Sequence, residues 1–262
     1  MTLSHASVYL DYNATAPIRP EARDALLRAL DAPANPSSVH AAGRAARDLV
    51  ETARGRVAAL AGVPAGSVTF VSGGTEANAL AIESARAAGF TRIVVGATEH
   101  DAVLETAKAS GLPVETWPVD ANGVAHLPWL EADLKAPGRA LVCLMLANNE
   151  TGVIQPVAEA SALVRAADGW LHVDAVQAAG KIAIDFSALG ADTLALSAHK
   201  LGGPQGVGAL VAGTRATLHR RLRSSSRRGR PRPCLDDRTG PVARRSGRPR
   251  QGGRRGRVGR GR

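Results

Sequence analysis

The chain has 262 residues, 45% hydrophobic and 3% aromatic, with a formal net charge of +10; this length suffices for one large or two small domains with a sizeable core. The charge is divided unevenly, near −6 over residues 1–214 and near +16 over residues 215–262, so the overall pI describes neither part. Two cysteines argue against a disulfide framework, and with no run of about 18 apolar residues and no basic-then-apolar leader we expect a cytoplasmic protein without a membrane span.

Taken in chain order, β-rich apolar runs predict strands at SVTFVS (67–72), TRIVVGA (91–97), RALVCLMLA (139–147), GWLHVDA (169–175), DTLALSA (192–198) and GVGALVAG (206–213). Ala-rich segments of helical period stand between them, at TEANALAIESARAAG (75–89) and PVAEASALVRAADG (156–169). That alternation predicts an α/β protein, a three-layer α/β/α sandwich around a mainly parallel sheet, within a domain spanning residues 1–214. The rhythm stops near Gly213. Of the 48 residues from 215 to 262, 34 are Arg, Gly, Pro or Ser, and the few apolar ones show no period. Such a segment cannot offset its ordering entropy, so a disordered tail is expected.

Open α/β sheets place their ligands at the C-terminal ends of the strands, and the polar residues gather there. After VTFVS, Gly74 and Thr75 stand at a strand-to-helix turn, where backbone N–H groups, the helix dipole and a hydroxyl suit a phosphate. The same residues are also ordinary turn and cap chemistry. His100 follows the next strand, and a capped or solvated loop histidine is the plainer reading. Asn148 and Asn149 follow the third, and Asp174 and Gln177 the fourth. A carboxylate ending an apolar strand should face a cation, and a structural salt bridge would satisfy it equally well. Lys200, one of only four lysines against 29 arginines, ends a further strand with Ser197 and His199 beside it. A buried amine there must be neutralised or bonded. Cys143 lies inside an apolar run, as a small buried hydrophobe would.

A phosphate cradle, an aromatic ring, an amide, a carboxylate and a lysine at one rim are the parts that pyridoxal phosphate needs. With LDYNATAP (10–17), NPSSVH (35–40), SGGTEANALAI (72–82), TEHDAVLET (98–106), ANNETGVIQP (147–156), HVDAVQAAGK (172–181) and SAHKLGGPQGVGAL (197–210), the chain resembles cysteine desulfurases of the NifS/IscS type. These are fold-type I enzymes of the class V aminotransferase family, and the resemblance runs from about residue 8 to about residue 213. It implies pyridoxal 5'-phosphate and no metal. Lys200 would bind the cofactor covalently and move the substrate Cα proton, and Asp174 would pair with the pyridine N–H. Gln177 would bond the phenolic oxygen, and His100 would stack on the ring and act as an acid/base. Gly74, Thr75, Ser197 and His199 would hold the phosphate, with Asn149 close to substrate. The implied reaction takes L-cysteine to L-alanine in a homodimer. Its sulfur passes as a persulfide to an acceptor or scaffold protein for iron–sulfur cluster or thio-cofactor assembly.

The family's loop thiol, carboxylate-binding arginine and small C-terminal domain have no counterpart here, since Cys143 lies in a strand and Cys234 in the Arg-rich tail. A truncated, impaired form is therefore expected, with the tail arising from out-of-frame reading of GC-rich DNA. A selenocysteine lyase or another class V enzyme on the same scaffold is the alternative. Nucleic-acid binding through the tail is disfavoured, because the tail lacks aromatics to stack on bases and the rest of the chain is acidic.

Overall fold

All six apolar runs become strands of one seven-stranded sheet in the computed structural model, which describes residues 8–32 and 34–219. The strands are β1 (Val68–Val71), β2 (Arg92–Gly96), β3 (Val114–Trp117), β4 (Ala140–Met145), β5 (Trp170–Asp174), β6 (Thr193–Ser197) and β7 (Gly208–Ala212). Their order is β1-β7-β6-β5-β4-β2-β3. β7 runs antiparallel to both neighbours, and every other pairing is parallel. β1 therefore runs in the same direction as β6, and six strands end at one edge.

The helices are α1 (Pro20–Leu30), α2 (Ala41–Ala61), α3 (Gly74–Ala87), α4 (Asp101–Ala109), α5 (Leu127–Asp133), α6 (Val157–Ala166) and α7 (Phe186–Leu189). Alternate side chains of the central strands face opposite layers. Val94, Val142, Leu144 and Val173 pack with Ala58 of α2, Leu130 of α5 and Val157 and Val164 of α6. Ile93, Val95, Leu141 and Cys143 pack instead with Ile82 and Ala85 of α3 and Val103 and Ala107 of α4. Being covered on both faces, β2, β4, β5 and β6 are buried at every position, which is why they read as unbroken apolar runs.

Local chemistry fixes where the helices near the sheet edge begin. His100 Nδ1 accepts the Ala102 N–H at 3.0 Å and so caps α4. Asp185 caps α7 through the N–H groups of Ser187 and Ala188. β7 runs so close to the turn before α3 that a Cβ at Gly208 would stand 2.7 Å from Gly73 Cα.

Residues 215–219, assigned to the tail from composition, are held against the sheet layers. Arg215 pairs with Asp192 at 3.3 Å and donates to the Gly169 carbonyl at 2.9 Å, and the His219 N–H donates to Ser84 Oγ at 2.9 Å. The remainder of the expected disordered tail, with Cys234, lies outside the described residues. No described helix is long and apolar enough to cross a membrane.

Candidate functional site

The C-terminal strand ends open on one cleft. The turn after β1 contributes Gly74 and Thr75, the segment after β2 His100, and the segment after β4 Asn149. Asp174 and Gln177 line it from β5 and the turn beyond, and Ser197, His199 and Lys200 from β6 and the 3-10 turn that follows. These nine residues, expected at strand ends, thus meet around one space.

Gly73 precedes α3 in an extended conformation, and no side chain caps the helix. The first N–H groups of a 14-residue helix, at the positive end of its dipole, are left to a ligand or solvent beside Gly74 and Thr75. A Cβ at residue 74 would come within 2.8 Å of Val176 Cγ2, also in the cleft lining, so glycine keeps this corner open.

Asp174 forms the floor at 7% exposure. Its Oδ1 accepts the Val176 N–H at 2.9 Å and its Oδ2 accepts Asn78 Nδ2 at 2.8 Å. Burial pushes its pKa up, against the pull of those two bonds and of positive charge at His100 and Lys200. Among the described residues it forms no ion pair, so the cation expected from the sequence is not supplied by a neighbouring side chain.

Lys200 departs from expectation. The amine is half-buried at the cleft mouth rather than in the interior, and it donates to the carbonyl oxygens of Asn13 at 2.5 Å and Ala14 at 2.9 Å. Partial burial, and secondarily the charge of Lys181, lower its pKa. The segment that meets it crosses the cleft as a strap. Asn13 Nδ2 donates to the Asn149 carbonyl at 2.8 Å, Thr15 Oγ1 lies 3.2 Å from His199 Nδ1, and the Ala16 N–H donates to the His199 carbonyl at 2.9 Å. Gln177 Nε2 donates to the Asn13 carbonyl at 2.9 Å, while Lys181 Nζ bonds Gln177 Oε1 at 2.6 Å and Asn13 Oδ1 at 2.9 Å.

Sequence reasoning gave no role to Asn13, Asn78, Glu99 or Lys181. All four lie inside motifs quoted for the resemblance, but only their partners reveal their place. Glu99 is buried, and its Oε1 accepts the Met145 N–H while Oε2 has no partner among the described residues. Burial and the charge of Asp174 push its carboxyl well up. Cys143 is fully buried on β4, its thiol pushed well up by burial and by Glu99 and Asp174. It is a packing residue and not a thiolate nucleophile.

A family profile described as aminotransferase class-V matches residues 8–237. The cysteine desulfurase IscS of Dictyoglomus turgidum is 37% identical over 242 residues, covering 90% of this chain and 61% of that relative. A cysteine desulfurase of Cereibacter sphaeroides is 46% identical over 211 residues, covering 78% and 54%. A NifS-like protein from Rickettsia africae superposes with a TM-score of 0.78 at 32% identity, covering 85% of this chain and 62% of that one. A structure described as SspA in complex with cysteine gives a TM-score of 0.74 at 29% identity, covering 79% and 61%. The chain spans between about half and three-fifths of the length of these relatives.

Proposed function

Because the chain belongs to the aminotransferase class-V family, we propose that its cleft binds pyridoxal phosphate and that the protein acts on L-cysteine as a cysteine desulfurase. In the net reaction L-cysteine and a thiol give L-alanine and a persulfide. One observation carries the reading: Asp174 is a buried carboxylate with no ion-pair partner among the described residues, in a cleft whose rim holds an amine and an uncapped helix N-terminus. Those donor and acceptor types fit the cofactor's ring nitrogen, aldehyde and phosphate.

When bound, the cofactor supplies an aldehyde that condenses with amines and a protonated ring that takes up electrons from the substrate. The residues of this chain do the rest. Asp174, desolvated and in no ion pair with a described residue, would hold a proton on the ring nitrogen. The first turn of α3, with Thr75, Ser197 and His199, would hold the phosphate, and Gln177 would donate to the phenolic oxygen. Because His100 Nδ1 accepts the Ala102 N–H, a neutral His100 carries its proton on Nε2, the nitrogen left for exchange. Lys200 sheds its proton more readily than an ordinary lysine and can pick up and return the substrate Cα proton.

The acceptor thiol is not among the described residues, whose single cysteine is Cys143. A sulfur-accepting protein and a second copy of the chain complete the reading. Support for the second copy comes from α1, which buries none of its residues and leaves Leu26, Leu27 and Leu30 exposed.

The test is amino-acid analysis after incubating the cofactor-loaded chain with L-cysteine, L-selenocysteine or L-cysteine sulfinate and an added dithiol. We expect alanine from cysteine, dependent on the cofactor. Alanine from selenocysteine alone would move the assignment to a selenocysteine lyase.

A further inference from the structure

Behind Asp174 lie polar groups of which only Asn78 borders the cleft, His172 and Thr193 lying deeper. His172 precedes Asp174 by two residues on β5, shares its face of the sheet, and is 0% exposed. Asn78 of α3 is 1% exposed, and Thr193 of β6 is buried. Buried polar groups left without partners are costly, so each bond here can be accounted for. Thr193 Oγ1 lies 2.8 Å from His172 Nδ1, His172 Nε2 lies 2.9 Å from Asn78 Oδ1, and Asn78 Nδ2 lies 2.8 Å from Asp174 Oδ2.

The carboxylate end gives this chain of bonds one direction. An ionised carboxylate only accepts, so Asn78 must present its NH2 to Asp174 and its carbonyl to His172. His172 must then carry its proton on Nε2, which leaves the Nδ1 lone pair to accept the Thr193 hydroxyl. Burial keeps the imidazole neutral, with a pKa of about 3, so both ring nitrogens can hold these roles at working pH. The chain ties together β6, β5 and α3. Asn78 also sits three residues after Thr75 and four after Gly74, on the helix whose first turn borders the cleft.

We propose that Thr193, His172 and Asn78 form a one-way hydrogen-bond relay that positions Asp174 against the cofactor's ring nitrogen while tying α3 to the sheet. The proposal rests on the cofactor reading of the cleft. All three are positioning residues that act through Asp174: His172 and Thr193 do not line the cleft, and Asn78, which borders it, spends its NH2 on Asp174 Oδ2 and its carbonyl on His172. The other groups acting on that carboxylate are the Val176 N–H, His100 and Lys200, which favour its charge, and Glu99, which shares the same buried space. Removing the hydroxyl at Thr193 frees His172 Nδ1 to take the proton. That would turn Nε2 into an acceptor facing the Asn78 carbonyl, and Asn78 could answer only by turning its own carbonyl toward Asp174.

Two measurements on the full chain test this. In the first, pyridoxal phosphate is titrated into the unmodified chain, Thr193→Val, Thr193→Ser and Asn78→Leu, following affinity and the visible spectrum. Loss of an orienting partner behind a charged ligand group typically weakens binding about 10-fold to 100-fold. Thr193→Val should weaken binding by about 10-fold with an altered spectrum, Asn78→Leu by more, and Thr193→Ser should behave like the unmodified chain. In the second, nitrogen NMR of the cofactor-free chain should show His172 as the single Nε2–H tautomer. Unmodified affinity and spectrum in Thr193→Val, or a proton on His172 Nδ1, would overturn the relay while leaving the cofactor reading intact. A chain that takes up no cofactor would overturn that reading, and the relay's role with it. Should Thr193→Val fail to fold, the His172 tautomer in the unmodified chain decides.

Discussion

His172 makes acid stability a residue-level measurement. Its folded pKa of about 3 lies below its ordinary value of 6.5, so as pH falls the unfolded chain takes the proton first. Stability from this group is full above the ordinary value and is lost downward, by about 1.4 kcal/mol per pH unit over that window. Asp174 and Glu99 act in the opposite sense, because their raised folded values favour the folded state at low pH and weaken it as pH rises. Comparison with His172→Gln isolates the histidine. Urea unfolding should show the unmodified chain losing about 2 kcal/mol more than the variant between about pH 7 and about pH 5; parallel profiles would contradict it. Cys143→Ala, by contrast, should cost only packing stability and leave cofactor uptake and any alanine formation unchanged, as paired assays would show. Strand-end position made the nine cleft residues legible, because a polar residue after an apolar run stands out. Asn78 and His172 did not stand out, since their purpose lies in bonds between residues 94 positions apart.

At the scale of elements, the ion pair between Arg92 of β2 and Asp133 at the end of α5 is buried, with side chains 6% and 7% exposed and 2.6 Å apart. Removing Asp133 leaves Arg92 only the exposed Glu115 carboxylate, 3.4 Å away, so Asp133→Ala should cost about 1–3 kcal/mol, and Arg92→Met with Asp133→Leu should recover much of it in thermal unfolding. Gly208→Ala forces a Cβ against the Gly73 backbone at the start of α3. It should cost about 1–3 kcal/mol and weaken cofactor affinity as well, a joint effect visible by titration and melting. The six legible strands are those whose neighbours cover them. β3 escaped notice because, at the sheet edge, only Trp117 of its four residues is fully buried. α1 and α2 escaped because they bury few side chains: none in α1, and only Gly43, Ala46, Ala58 and Ala61 in α2. The antiparallel direction of β7 leaves no mark in its own residues, since it depends on the turn between Lys200 and Gly208.

For the molecule as a whole, the exposed leucines of α1 predict self-association. Light scattering of the full chain should give the mass of two copies, and Leu27→Glu with Leu30→Glu should shift it toward one. The cleft itself is tested most directly by mapping where the cofactor attaches. The full chain is incubated with pyridoxal phosphate, reduced with borohydride, digested and analysed by mass spectrometry. Of the four lysines, Lys108 is solvent-exposed and Lys181 is tied to Gln177 and Asn13, whereas Lys200 alone lines the cleft with Asp174. One cofactor per chain on Lys200, lost with the visible absorption in Lys200→Ala, is the predicted result. No adduct, or an adduct spread over the lysines without preference, would contradict it.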